Sequence, residues 1–329
     1  MSSVQPAIAC LGAGRMGRGI AVAFAYAGHS VTMIDVKAGR SSEQFARLGA
    51  EALDEIRKTL ASLARLGLLK DADADTILAR VSVVPASVGA VALSEAGMVF
   101  EGVPEMVELK REVLGAASKL VGPEAVIAST TSTILVDDLS GAIAHPERFL
   151  NVHWLNPAYL IPLVEISPGK ATDPAIIARV KTLLEGIGKV PVVCAATPGF
   201  IVPRIQTLAM NEAARMVEEG VASAEEIDKA IRYGFGFRYA VLGLLEFIDW
   251  GGGDILYYAS RYLEGALGSD RYRAPDVIGN NMRDGRIGVR TGAGFLDYSG
   301  MDVDAYREKR LADLIDMLRH FGLARPPVV

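Results

Sequence analysis

The chain has 329 residues, 50% of them hydrophobic, and 34 Lys plus Arg against 39 Asp plus Glu give a net charge of −5. That is enough apolar material for two packed domains, and the charge offers no basic field for a phosphate backbone, which excludes nucleic acid as a partner. No apolar run reaches the roughly 18 residues of a membrane span, and the start MSSVQPAIACLGAG lacks the basic segment and cleavage site of a signal peptide. A soluble, cytoplasmic protein is expected. Cys10 and Cys194 lie far apart in apolar runs and offer neither a disulfide framework nor a metal site.

The first element, IACLGA, reads as a strand that runs through GAGRMG into the helical pattern RMGRGIAVAFAYAG. In that setting Gly12 makes the tight turn, Gly14 lets backbone approach a pyrophosphate, and Gly17 lets the helix pack on its strand. Met16 lies inside the same motif and is assigned to the cofactor site with them. The phosphates belong at the helix N-terminus, where free N–H groups point at them. A second strand, SVTMID, ends in Asp35, placed to accept hydrogen bonds from the adenosine ribose hydroxyls and to repel a 2′-phosphate. NAD is the predicted cofactor; Lys37 and Arg40 nearby leave NADP as the alternative.

Residues 41–69 follow as one long helix, with Phe45, Leu48, Leu53, Ile56, Leu60 and Leu63 on its apolar stripe and a mixed-charge solvated face opposite. Six further strand candidates, VSVVP, AGMVFEG, AVIAST, FLNVHW, IPLVEI and KVPVVC, alternate with helical stretches. This alternation predicts an α/β, Rossmann-type domain with a mostly parallel sheet. After ATPG the apolar residues recur at three and four, as in Ile201, Ile205 and Leu208, without strands. The reading is an all-α C-terminal domain, with Pro198 and Gly199 marking the joint, so the domains are 1–197 and 198–329. Glu246 and Asp249 in LLEFIDWGGGDILYYASRYL are either buried groups paired with donors or part of a pocket wall. A last helix after Ser299 places Tyr306, Leu311, Leu314, Ile315 and Leu318 on its apolar side.

An alcohol dehydrogenase using nicotinamide needs a base for the hydroxyl proton. There are four histidines. His29 precedes the second strand, at the wrong end of the sheet; His145 is in a loop and His320 in the tail. His153 ends FLNVH, and ligands of open α/β sheets bind beyond the carboxyl ends of strands. Glu165 ends the next apolar run, and a carboxylate on one imidazole nitrogen fixes the tautomer and stabilises the imidazolium.

Taken in order, GAGRMGRGIA, EGVPEMVELKREV, ASTTST, HPERFLNVHWLNPAYLIPLVEI, PGFIVPRI and TGAGFLDY resemble the L-3-hydroxyacyl-CoA dehydrogenase family over residues 6 to 298. The resemblance implies a two-domain NAD enzyme of fatty acid metabolism, dimeric through its helical domain, with a His–Glu dyad. His153 and Glu165 match that dyad, Ser132 and Asn156 match residues that orient substrate and nicotinamide, and Glu105, Lys110 and Arg290 match positions that touch the cofactor. The implied reaction is reversible oxidation of the 3-hydroxy group of an L-3-hydroxyacyl compound, a short-chain substrate such as 3-hydroxybutyryl-CoA.

Three departures bear on the substrate. Pro203 stands where the family usually has an asparagine before arginine. Glu55 and Ser62 fall where serine and lysine usually meet coenzyme A. NPAYLIPLVE and GFGFRYAVLG are similar to the branch holding L-gulonate 3-dehydrogenase, lambda-crystallin and carnitine dehydrogenase. That branch implies a free hydroxy carboxylate, with Arg238 either a carboxylate anchor or a solvated surface residue. It also brings in a non-catalytic, crystallin-like binder of NADH as a third reading.

Overall fold

The structure, a computed structural model, describes residues 5–37 and 39–328. The chain divides into two units after Ala209. That division falls beyond the Pro198–Gly199 joint because a helix runs across it.

The first unit is built on an eight-stranded sheet: β1 (Ala7–Leu11), β2 (Val31–Asp35), β3 (Val81–Pro85), β4 (Ala96–Glu101), β5 (Val126–Ser129), β6 (Phe149–Trp154), β7 (Leu163–Pro168) and β8 (Val190–Val193). Their order is β3-β2-β1-β4-β5-β6-β7-β8. All neighbours are parallel except β6 and β7, which run antiparallel. Every strand read from the sequence is present. Along β1 the side chains alternate, Ile8 and Cys10 entering one core and Ala9 and Leu11 the other.

On the first face lie α1 (Arg15–Tyr26), α2 (Ser42–Arg65), α3 (Asp71–Leu78) and, further on, the helix Pro174–Gly186. On the second lie α4 (Gly89–Glu95), α5 (Val107–Ser118) and α6 (Val136–Ser140); Pro174–Gly186 is α7. Helix α2 starts where Ser41 and Gln44 exchange hydrogen bonds, Ser41 Oγ accepting from Gln44 N (3.2 Å) and Gln44 Oε1 from Ser41 N (3.0 Å). Its buried line is Gly49, Ala52, Ile56, Leu60 and Leu63; Phe45, Leu48 and Leu53 flank it half-buried. The charged face is solvated as read, apart from Glu55, which reaches across to Arg18 of α1 (3.2 Å).

The IPLVEI strand begins at Leu163, two residues later than read, because 156–162 is a turn. This turn joins β6 to β7, with a cis bond at Asn156–Pro157 and Ala158 buried. Ala158 packs onto α1 so closely that a methyl on Gly19 would stand 3.1 Å from its Cβ. Helix α8 (Val202–Glu218) then leads into the second unit.

The described second unit is helical, as read: α9 (Ala224–Ala230), α10 (Gly236–Tyr239), α11 (Leu244–Gly251), α12 (Gly253–Leu267), α13 (Asp276–Arg283) and α14 (Val303–His320). Asp249 is buried and accepts from Phe295 N (2.9 Å), Leu296 N (2.8 Å) and the Tyr298 hydroxyl (3.2 Å), which fixes the TGAGFLDY turn. Glu246 accepts from Tyr306 (2.7 Å) and Arg310 (2.8 Å) and so ties α11 to α14. Both acids are paired structural groups. On α14, Leu311 and Ile315 are exposed rather than packed.

Candidate active site

The carboxyl edge of the sheet is aligned in register, Glu101 opposite Leu11 and Ser129, and Ser129 opposite Asn151. The segments leaving this row hold most of the residues singled out in the sequence.

Beyond β1, Gly12 has φ +107° and Gly17 lies so near it that a methyl would stand 2.2 Å from Gly12 O. A side chain at Gly17 is therefore incompatible with this turn. Gly14 has open space in front of it, and α1 starts there with no side-chain cap. Free N–H groups facing open space suit a pyrophosphate, so the turn fits a dinucleotide. Met16 is half-buried against the core. Asp35 is buried at the end of β2; its Oδ1 accepts from Lys37 N (3.3 Å) and its Oδ2 pairs with Arg40 Nε (2.5 Å). The acid thus holds the nearby arginine while lying where a ribose is expected.

Beyond β4 and β5 lies a network that the sequence did not disclose. Glu101 and Lys110 are buried, their Nζ–Oε1 distance is 2.8 Å, and Glu101 also accepts from Val103 N (2.7 Å) and Ser129 Oγ (2.6 Å). Lys110 Nζ continues to Glu105 (3.2 Å), so every contact of this ammonium is with a protein oxygen. Glu105 Oε1 accepts from the Thr131 hydroxyl, Ser132 N (3.1 Å), Thr133 N (3.2 Å) and Thr133 Oγ1 (3.0 Å). Burial acts to raise the Glu105 carboxyl, but the Thr131 hydrogen bond, the Lys110 charge and Thr133 outweigh it and hold it below the usual carboxylate range. Glu105 therefore fixes the backbone that presents Ser132.

The antiparallel turn explains the remaining geometry. Glu165 is the third residue of β7, near its start rather than at its end, and antiparallel pairing puts it directly opposite His153. His153 Nδ1 lies 2.8 Å from Glu165 Oε2, and Nε2 lies 3.1 Å from Ser132 Oγ. Glu165 Oε1 accepts from Ile201 N (2.9 Å), just before α8, and from Val202 N (2.8 Å), its first residue. A buried carboxylate thus receives two helix-terminal N–H groups and an imidazole. Phe200, with φ +45°, lays its ring 5.4 Å from the imidazole. Pro203 falls in the first turn of α8, where a missing N–H breaks no helical bond.

With Nδ1–H donated to Glu165, Nε2 is left as an acceptor facing the Ser132 hydroxyl. Such an imidazole can take a proton at Nε2 while the carboxylate stabilises the charge formed. Asn156 is exposed in the turn after β6 and lines a cavity beside α1 and α2. Arg290 and Arg238 belong to the second unit. Arg290 pairs with Asp254 (2.5 Å); Arg238 is exposed, lies 4.5 Å over the Phe247 ring and donates to Gly234 O (3.3 Å). The other histidines are elsewhere: His29 is buried with Nδ1 2.9 Å from Pro6 O, and His145 pairs with Glu147 at the surface.

The family model described as the 3-hydroxyacyl-CoA dehydrogenase NAD binding domain matches residues 7–197, and that of the family's C-terminal domain matches residues 199–298. A 5-formyl-3-hydroxy-2-methylpyridine 4-carboxylate 5-dehydrogenase of Mesorhizobium japonicum is 30% identical over 323 residues, covering 95% of this chain and 97% of its own. A 3-hydroxybutyryl-CoA dehydrogenase of Bradyrhizobium diazoefficiens is 32% identical over 300 residues, 91% of this chain and 98% of its own. The crystal structure of a 3-hydroxyacyl-CoA dehydrogenase from Archaeoglobus fulgidus superposes with a TM-score of 0.75 at 32% identity, over 97% of this chain and 100% of the other. The chain belongs to the 3-hydroxyacyl-CoA dehydrogenase family and is an NAD-dependent oxidoreductase acting on a CH–OH group.

Proposed function

We propose that the enzyme reversibly oxidises the 3-hydroxy group of an L-3-hydroxyacyl compound, with a short-chain acyl-CoA such as 3-hydroxybutyryl-CoA as substrate. The observation behind this is the His153 imidazole held between Glu165 (2.8 Å) and Ser132 (3.1 Å). His153 Nε2 accepts the proton of the substrate hydroxyl, and returns it in the reduction. Glu165 keeps Nδ1 protonated and stabilises the imidazolium. Ser132 holds the substrate oxygen against Nε2, and Asn156 orients substrate and nicotinamide from the turn after β6. NAD, when bound, accepts the hydride from the same carbon. Gly12 and Gly14 receive its pyrophosphate beside Met16, Gly17 keeps that turn tight, Asp35 takes its adenosine ribose and Glu105 borders its site, whereas Lys110, buried with every contact on a protein oxygen, supports the site through Glu101 and Glu105 without touching the cofactor.

The free hydroxy carboxylate is the second reading. It is favoured by the Arg18–Glu55 pair on the cavity next to Asn156 and by likeness to the Mesorhizobium pyridine-carboxylate enzyme. In it Arg238 anchors the carboxylate. Both readings are tested by following NADH with acetoacetyl-CoA, L-3-hydroxybutyrate, L-gulonate, carnitine and hydroxypyridine carboxylates. Turnover of none of them would overturn both and favour a crystallin-like NADH binder.

The same reading places the enzyme in cytoplasmic fatty acid metabolism and makes it a homodimer through the second unit. On α12, Ile255, Tyr258 and Tyr262 form an exposed apolar line at helical spacing, which suits a partner's surface. Sedimentation of the wild type at a monomer's mass would count against the dimer, and a dimer mass unchanged in Tyr258→Asp would count against this face.

A further inference from the structure

Lys189 immediately precedes β8, is 8% exposed and has no carboxylate within ion-pair distance among the described residues. Burial pushes its ammonium below the ordinary lysine pKa. A charge kept in such a place without a counter-ion is costly, and its partners show what it does there. Nζ donates to Ala158 O (2.7 Å) and Ile161 O (2.8 Å) and lies 5.7 Å from the centre of the Trp154 ring. Trp154 is the last residue of β6, and both carbonyls belong to the 156–162 turn. Two carbonyl dipoles aimed at one point repel each other unless a donor stands between them, and a cationic donor binds them more strongly than a neutral one. Elsewhere in the turn, Pro157 O receives Leu160 N and Ile161 N (2.9 Å each), and Pro162 O receives Val190 N (2.8 Å), the residue after Lys189. Ala158 is therefore fixed on two sides, its methyl against Gly19 of α1 and its carbonyl on Lys189. Asn156 stands two residues before it, exposed.

We propose that Lys189 is a positioning residue for the reaction, its ammonium holding the 156–162 turn in the shape that presents Asn156 to substrate and nicotinamide. This rests on the dehydrogenase reading above, in which Asn156 orients the reacting pair. Lys189 bonds to backbone and acts through the turn. A methionine in its place keeps the stem but leaves Ala158 O and Ile161 O without their donor; these carbonyls then turn to find other partners, and Asn156 moves with them. A misplacement of about 1 Å can cost on the order of 10²-fold in rate. An arginine keeps the charge and the donors but spreads them over a plane.

The test uses the full-length protein, the variants Lys189→Met, Lys189→Gln, Lys189→Arg and Asn156→Ala, and the double variant that joins Lys189→Met to Asn156→Ala. Circular dichroism and the thermal midpoint are measured first, then kcat and KM with NADH and acetoacetyl-CoA, or with whichever of the compounds named above is turned over. Lys189→Met is expected to lower kcat/KM about tenfold or more, and Lys189→Arg to recover part of the loss. Lys189→Gln, which can still donate to one carbonyl, takes its place if Lys189→Met does not fold. In the Asn156→Ala background the same substitution should cost at most about twofold more, because the group that it misplaces is already gone. A larger loss in that background, or no loss in the wild-type background whatever the fall in thermal midpoint, would overturn the inference. If Asn156→Ala is itself neutral, or the wild type turns over none of the compounds, the role given to Asn156 fails separately. Hydrogen exchange at the Leu160 and Ile161 amides then decides for Lys189: faster exchange in Lys189→Met, with β6 unchanged, supports its hold on the turn, and equal exchange rejects it.

Discussion

His153 and Glu165 are direct cross-strand partners on β6 and β7, with Nδ1 and Oε2 2.8 Å apart. Because the other Glu165 oxygen receives the amides of Ile201 and Val202 at the N-terminal end of α8, the carboxylate orients the ring from a fixed position. Glu165→Gln keeps the volume and removes the charge that balances an imidazolium. The expected result is a fall in kcat of about 10²- to 10⁴-fold, with NADH affinity nearly unchanged by fluorescence titration. His153→Ala should fall at least as far. Rates within a few-fold of wild type in either variant would remove the dyad from the chemistry.

The buried Glu101–Lys110 pair calls for a stability experiment. Removing one partner leaves a charge without its counter-ion in a site closed to water, which costs about 3–5 kcal/mol. Lys110→Met alone should therefore lower the urea midpoint strongly, and adding Glu101→Gln should restore part of the loss. Additive losses in the double variant would mean that the two side chains are energetically independent, contrary to their 2.8 Å contact.

Much of this was legible in the sequence, for reasons that differ by residue. The strands announced themselves through β-rich apolar runs between glycine and proline signals, and the glycine turn needed only local spacing. The start of β7 did not: Ile161 and Pro162 belong to the turn after β6, and hydrophobicity alone does not separate them from the strand that follows. Glu165 was found, but its place near the start of β7 follows from one antiparallel pairing that no local pattern records. Phe200 and Glu101 went unassigned because their partners are an imidazole 47 positions away and a lysine on the next helix, contacts made only by tertiary folding. Ser132 stood out through family resemblance; its position depends on Glu105 gathering the loop beneath it.

Asp35 and Arg40 set up a cofactor test. The acid both repels a 2′-phosphate and holds the arginine that would attract one, at 2.5 Å. Asp35→Ala should raise KM for NAD and shift the ratio of kcat/KM for NADP over NAD upward by about tenfold or more. Arg40→Ala should lower use of NADP further. An unaltered ratio in Asp35→Ala would show that discrimination lies elsewhere.

The Glu105 carboxyl gives a pH dependence whose sign is fixed by its shift. Its pKa lies below the ordinary 4.5, so the folded protein holds the ionised form more strongly than the unfolded chain does. The stabilisation is complete above the unfolded value and is lost as pH falls through the folded one, when protonation disables acceptance from Thr131 and pairing with Lys110. Glu105→Gln lacks this titration. The stability gap between wild type and Glu105→Gln should be widest above about pH 5 and should close on acidification toward about pH 3. The side chain is 40% exposed, so added salt should narrow the gap as well. A gap that stays constant or widens between those pH values would show that the network around Ser132 does not depend on the ionised carboxylate.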